Sequence, residues 1–153
     1  MQGVYVLVVE AHGEIEVGQL RRQRFNGTYL YVGSALGPAG FKRIARHQAV
    51  ADGRNRIRRW HIDYLLVPGR LHKAFLIETY QDLECKLAGE LAKRVEPVIK
   101  GFGTSDCRCK THLFQLPDKD EAVIVVACRT LESDAVGVYE VANRCELDLL
   151  VNR

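Results

Sequence analysis

Apolar and polar positions repeat along this chain with two periods, those of strands and of amphipathic helices. Gly3 to Glu10 is an apolar run rich in β-branched residues, which predicts a strand with at least one face fully buried. Ala11 to Gly27 is more polar, with Ile15 and Val17 alternating as in a short hairpin strand. Thr28 to Val32 predicts a second firm strand ended by Gly33, and Tyr29 and Tyr31, two apart, project from one sheet face. Ser34 to Gly40 holds two glycines and Pro38 and is a loop. Phe41 to Ala51 has helical spacing, with Phe41, Ile44, Ala45 and Ala49 on the expected buried side. Arg43, Arg46 and His47 then share one cationic helix face. Gly53 to Arg59 is a basic loop, and Trp60 to Leu66 begins a short element that stops before Pro68-Gly69.

Leu71 to Tyr80 predicts a third long strand. Asp82 is placed to cap a helix in which Leu83, Leu87 and Leu91 recur every four residues and which ends before Pro97. A glycine-rich, polar loop from Gly101 to Cys109 precedes a short strand, His112 to Leu116. Glu121 to Cys128 reads as strand, and the last twenty residues are ambiguous. With no repeat, low-complexity segment or linker, these elements predict an α+β domain with a small mixed, mainly antiparallel sheet flanked by helices. Residues 1–116 form its body and residues 117–153 an extension packed on the same domain.

A chain of 153 residues, 47% hydrophobic and 27% charged, is long enough to bury a core of its own. It has no apolar run near the ~20 residues that span a bilayer. The start, Met1-Gln2-Gly3-Val4-Tyr5-Val6, lacks a basic n-region and reads as strand, so a cytoplasmic protein with no membrane partner is expected. The five cysteines, Cys85, Cys107, Cys109, Cys128 and Cys145, are an odd count, which favours free thiols or metal ligands over a disulfide framework. The net charge of +3 is unevenly spread. Residues 1–60 hold ten Lys/Arg against four Asp/Glu, and residues 61–153 hold twelve against fifteen. The positive field that an anionic partner would feel therefore lies in the first part of the chain.

Cutting a phosphodiester requires a cation on the phosphate oxygens, a group that deprotonates or orients water, and a fixed positive charge for the transition state. Gly3-Val4-Tyr5 and Tyr31-Val32-Gly33-Ser34, followed by a helix with Arg43 and His47 and later by Glu84-Cys85-Lys86-Leu87, resemble in order the motifs of the GIY-YIG nucleases. Three longer strings (Tyr29 to Ala35, Trp60 to Leu66 and Gly101 to Cys109) are similar to the small prokaryotic Uri-type branch, whose members stand alone or are fused to base-excision glycosylases. The match covers residues 1–116. It departs from the pattern in valine for isoleucine in both motifs and in an extra Gly-Pro-Ala-Gly stretch before Arg43.

The resemblance implies a metal-dependent endonuclease acting on DNA, with RNA also open and a repair glycosylase as a candidate partner. Tyr5, Tyr31, Arg43, His47 and Glu84 would be its catalytic residues, and Glu84 would hold one Mg or Mn ion, a hard cation suited to a carboxylate and waters. From the residues alone, Tyr5 and Tyr31 are sheet aromatics, or else a general base, a water-positioning group or a donor to phosphate. A phenol with pKa about 10 serves as a base only if nearby cations favour phenolate. Arg43 has the planar fork that grips phosphate, whereas His47 is either an orienting group or an idle surface imidazole. Glu84 sits well in the first turn of a helix whatever its role, and Glu78 is its rival for the metal. Arg46, Arg54, Arg56, Arg58 and Arg59 would track a nucleic-acid backbone. His61, with Asp63, would contact phosphate or brace the fold, bracing being the favoured reading. Cys107-x-Cys109-x-x-His112 resembles part of a zinc site that Cys85 or Cys128 would have to complete, and a loop with buried free thiols is the favoured reading. Two other classes stay open: a non-catalytic nucleic-acid-binding module and a zinc-stabilised interaction domain.

Overall fold

The computed structural model describes residues 1–105 and 107–151; Asp106, inside the Gly101–Cys109 string, and Asn152 and Arg153, at the end of the 117–153 segment, lie outside the described residues. Two 14-residue strands, β1 (Gly3–Glu16) and β2 (Arg22–Ala35), form a long antiparallel hairpin in register from Gly3↔Ala35 to Glu16↔Arg22. The polar stretch after Glu10 is therefore no separate strand. Beyond Ala11 the strand β1 buries only Ile15, which joins Val17 and Phe25 at the end of the core.

On the far side of β1 lies β3 (Arg70–Glu78), which pairs in turn with β6 (Gly137–Val141). On the far side of β2 lies β5 (Leu113–Leu116), edged by the two-residue β4 (Glu96–Pro97). The sheet order is β4-β5-β2-β1-β3-β6, every pairing is antiparallel, and with its flanking helices the fold is α+β. The central strand β1 is buried on both faces, which is why its sequence is an unbroken apolar run rather than an alternating one.

Side chains still alternate by face. Tyr5, Leu7 and Val9 point into a core shared with α1 (Lys42–Ala51), α2 (His61–Leu66) and α5 (Arg144–Val151). Val4, Val6 and Val8 point the other way, against α3 (Glu84–Ala92) and α4 (Ala122–Arg129). Leu83, Leu87 and Leu91 are all buried on that second face, as their spacing predicts. Helix α3 has Leu83, not Asp82, at its N-cap, and no side chain caps it.

Two expectations are corrected. Glu121 to Cys128 is not strand: α4 occupies it, because Ile124, Ala127, Cys128 and Leu131 are buried at helical spacing while Val125 and Val126 stand exposed. In α1 the buried positions are Ile44, His47 and Val50, one every third residue, rather than Ala45 and Ala49. Residues 117–151 supply β6, α4 and α5, all packed onto the one sheet. Among the described residues no helix is long and apolar enough to cross a membrane.

Candidate active site

Glycines set the frame of the site. The pairing of β1 with β2 places Tyr5 opposite Gly33, and the Tyr5 ring lies so close over that residue that any Cβ there would collide with it. At Gly3 a Cβ would strike the Ile77 carbonyl of β3, so the first motif glycine lets two backbones approach. Gly103, at φ +70°, packs against the edge of the Tyr31 ring, where a side chain would be both strained and obstructed. Gly33 and Gly103 thus make room for two tyrosines side by side, with ring centroids 6.5 Å apart.

A cleft of about 160 Å³ opens beside them, lined by Tyr5, Tyr31, Ser34, Arg43, Arg59, Trp60, His61, Glu84, Gly103 and Ser105. Strands β1 and β2 bring the tyrosines, α1 brings Arg43, and the first turn of α3 brings Glu84 from the opposite layer. Glu84 is the one carboxylate among the described lining residues. Arg43 is held at the wall by donating to the Ser34 carbonyl and by its position 5.0 Å from the Trp60 ring centroid. Arg59 also flanks that indole, at 5.8 Å.

The third guanidinium at Trp60 has another occupation. Arg46 lies 4.3 Å from the ring and donates two 2.9 Å hydrogen bonds to the fully buried carboxylate of Asp63. The same carboxylate accepts from the backbone N–H groups of Arg59 and Trp60, at 2.8 and 3.0 Å. Four hydrogen bonds offset the cost of burying this charge and keep its pKa below the ordinary carboxylate value in spite of burial. Asp63 thus braces the fold, and Arg46 is committed to it rather than offered to a ligand.

His47 is likewise no surface cation. It is completely buried, 2.7 Å from the Tyr5 hydroxyl through Nε2, and packed edge-on against Tyr31 and Trp60. Burial, aided by Arg46 and Arg43, lowers its pKa to about 3 against the pull of Asp63, so the ring is neutral. Burial also pushes the phenols of Tyr5 and Tyr31 well up, and Arg43 offsets only part of that. The condition for a tyrosine base, a phenolate favoured by nearby cations, is not met by Arg43, because desolvation outweighs it.

His61 accepts the Gly103 N–H through Nδ1 at 2.9 Å, bracing the loop while it lines the cleft. Burial lowers its pKa. Arg54, Arg56 and Arg58 lie on the loop outside the cleft lining. Arg54 pairs with Asp52 at 3.0 Å, and Arg58 donates to the Asn55 and Ile57 carbonyls. Glu78 accepts from the Tyr139 hydroxyl and does not line the cleft. Sequence reasoning passed over Ser34, Trp60, Gly103 and Ser105 as lining residues, although each stands within one of the three strings singled out above.

Beside the cleft, Cys85, Cys107, Cys109 and His112 place one donor atom each within 4.8 Å of one another, a group that could hold a metal ion. Cys85 on α3, not Cys128, completes the set; Cys128 is buried in the opposite core. His112 Nε2 lies 3.5 Å from Cys107 Sγ, and His112 Nδ1 lies 2.8 Å from Glu84 Oε1.

The fold and the cleft together define an α+β domain with an arginine-walled, aromatic cleft whose described lining holds one carboxylate. The chain belongs to the family described as Domain of unknown function DUF123, whose model matches residues 4–133, a range that runs past residue 116 and through α4. Comparison with curated proteins and with solved structures returns no match.

Proposed function

We propose that this chain is a metal-dependent endonuclease of the GIY-YIG type, of the Uri-type branch, which hydrolyses phosphodiester bonds in DNA. The observation that carries the reading is the convergence of Tyr5, Tyr31, Arg43 and Glu84, distant in sequence, on one cleft. The sole carboxylate among the described lining residues, with room beside it for water, fits magnesium or manganese, which take one or two carboxylates and complete their shells with water and phosphate oxygens. Glu84 would hold such an ion, whose chemistry would be charge neutralisation at the phosphate oxygens.

The protein's own groups do the rest. Arg43 offers a planar fork to the scissile phosphate from a position fixed by Ser34 and Trp60. Its charge is worth most where negative charge builds, in the transition state. The Tyr5 and Tyr31 hydroxyls act as neutral hydrogen-bonding groups that orient the attacking water or a phosphate oxygen, since both phenols are held protonated. His47 fixes the Tyr5 hydroxyl from behind. Arg59 and the Arg54–Arg58 loop extend the positive surface along which a nucleic-acid backbone would run. A repair glycosylase remains the candidate partner and the cytoplasm the candidate location.

The test is nicking of supercoiled plasmid DNA, with single-stranded RNA as a second substrate. Cleavage that needs Mg or Mn and disappears in Arg43→Ala supports the reading. DNA binding without cleavage would make the chain a binding module that keeps the fold.

A further inference from the structure

We infer that Cys85, Cys107, Cys109 and His112 form a single-ion zinc site, and that His112 links this ion to Glu84 in a carboxylate–histidine–zinc relay. The donor set is three thiolates and one imidazole, the chemistry of a closed structural zinc centre. Its compactness selects one ion over a cluster. Tetrahedral bonds of about 2.3 Å put neighbouring ligand atoms about 3.8 Å apart, and all four donors here lie within 4.8 Å of one another. Thiolates bound to the two irons of an iron–sulfur cluster would have to spread farther.

The two nitrogens of His112 divide the work. Nε2 faces the thiols, 3.5 Å from Cys107 Sγ. Nδ1 is fully buried without a well-directed hydrogen bond, and Glu84 Oε1 is 2.8 Å away. A metal on Nε2 would fix the proton on Nδ1, beside Glu84, and a turn of the carboxylate into the line of that N–H would complete the bond. As the ion binds, the three thiols release their protons to solvent, and the imidazole binds neutral.

The site would then serve the cleft in two ways. It ties the first turn of α3 to the loop that carries Gly103 and Ser105, two residues of the cleft wall. It also makes His112 a positioning residue that holds one oxygen of Glu84 and leaves the other for the cleft. The role of Glu84 toward a second ion rests on the nuclease reading; the zinc site does not.

Metal measurements on the full chain decide the matter without any cleavage assay. The purified protein should carry one zinc per chain by elemental analysis, lost in Cys109→Ser. Cobalt substitution should give the intense bands of tetrahedral cobalt with thiolate ligands. In competition with a chelator, Glu84→Gln should weaken zinc about tenfold, because partners that orient a ligating histidine contribute ten- to a hundredfold to affinity. Glu78→Gln should leave zinc affinity unchanged. His112→Cys restores four donors but has no Nδ1–H, so it should keep the ion and abolish the effect of Glu84→Gln. Iron in place of zinc, or zinc retained in both Cys107→Ser and Cys109→Ser, would overturn the site. Equal zinc affinity in wild type and Glu84→Gln would overturn the relay. Zinc bound as expected in a chain that cuts no nucleic acid would refute the nuclease reading alone.

Discussion

The two faces of the sheet are built to different rules although the same strand supplies both. Behind Val4, Val6 and Val8 the core is apolar, with Leu83, Leu87, Leu91 and Ile124 from the helices packed against Phe75 and Phe114. Behind Tyr5, Leu7 and Val9 the protein buries an imidazole, an aspartate and two phenols, and it needs a glycine opposite Tyr5 to seat the ring. Each buried polar group there carries a desolvation cost, which four hydrogen bonds offset at Asp63 but which is not offset everywhere. His47 Nδ1 has no partner at all among the described residues. A fold needing stability alone would have two faces of the first kind. The exceptions to local packing rules gather where the cleft is, as expected of a functional surface.

The sharpest way to test this contrast is to remove one residue from each face of α3. Glu84→Ala, at the cleft, should abolish cleavage with DNA affinity nearly intact, and should cost the fold no more than about 1.4 kcal/mol, the share of a tenfold loss in zinc affinity. Leu87→Ala, one turn later and fully buried, should cost about 2–5 kcal/mol in denaturant unfolding yet leave the rate per folded molecule unchanged. Full activity in Glu84→Ala with loss in Glu78→Ala would move the metal to β3.

Arg43 comes next in size. Arg43→Ala should lower single-turnover cleavage by about 10²- to 10³-fold, the usual cost of one transition-state donor. Binding should fall by much less. Arg43→Lys keeps the charge but loses the planar fork and its contact with Trp60, so it should recover only part of the rate. Equal losses in rate and affinity would reduce Arg43 to a binding residue.

The same contrast explains which parts of the molecule were legible in the sequence. The apolar face was readable because period and spacing carry it: the α3 leucines were placed correctly from their interval alone. Helix α4 was misread because Val-Ile-Val-Val has strand propensity, and only tertiary burial of Ile124, Ala127 and Cys128 decides for helix. On the cleft face the motif residues could be named but their states could not. A histidine beside two arginines reads as a cation until the fold is seen to bury it on Tyr5. Arg46 reads as a phosphate ligand until Asp63 appears seventeen residues away in sequence and in contact in space. Cys85 was one of two candidates to complete the metal set, and only the packing of α3 beside the Gly101–Cys109 loop separates it from Cys128.

The basic loop extends the comparison beyond the cleft wall. Neutralising Arg54, Arg56 and Arg58 should weaken binding to all sequences alike and flatten the dependence of log affinity on log salt by about 0.9 per lost phosphate contact. Arg56 and Arg58 should account for most of the change, since Asp52 already pairs with Arg54. An unchanged slope would mark the loop as a solvated surface and confine recognition to the cleft.

The smallest effect, and the most direct measure of what the cleft face costs the fold, is the pH dependence of stability through His47. Its native pKa of about 3 lies below the ordinary histidine value of 6.5, so across that interval the unfolded chain binds more protons than the native one. Stability from this group is present in full above pH 6.5 and is lost as pH falls through that value toward 3. Between pH 6.5 and 5 the loss should be about 1.6 kcal/mol, with the limiting slope near 1.4 kcal/mol per pH unit below that. His61, also lowered by burial, contributes in the same direction, so the comparison must be made against a variant. His47→Gln keeps a group able to hydrogen-bond Tyr5 and removes the titration. The carboxylates with lowered pKa, Glu10, Asp52, Asp63 and Glu90, act at lower pH and leave this window clear. Urea unfolding of wild type and His47→Gln at pH 6.5 and 5 therefore isolates the one group. Parallel acid losses in the two proteins would mean that His47 is protonated in the native state and that the polar core behind Tyr5 is open to water.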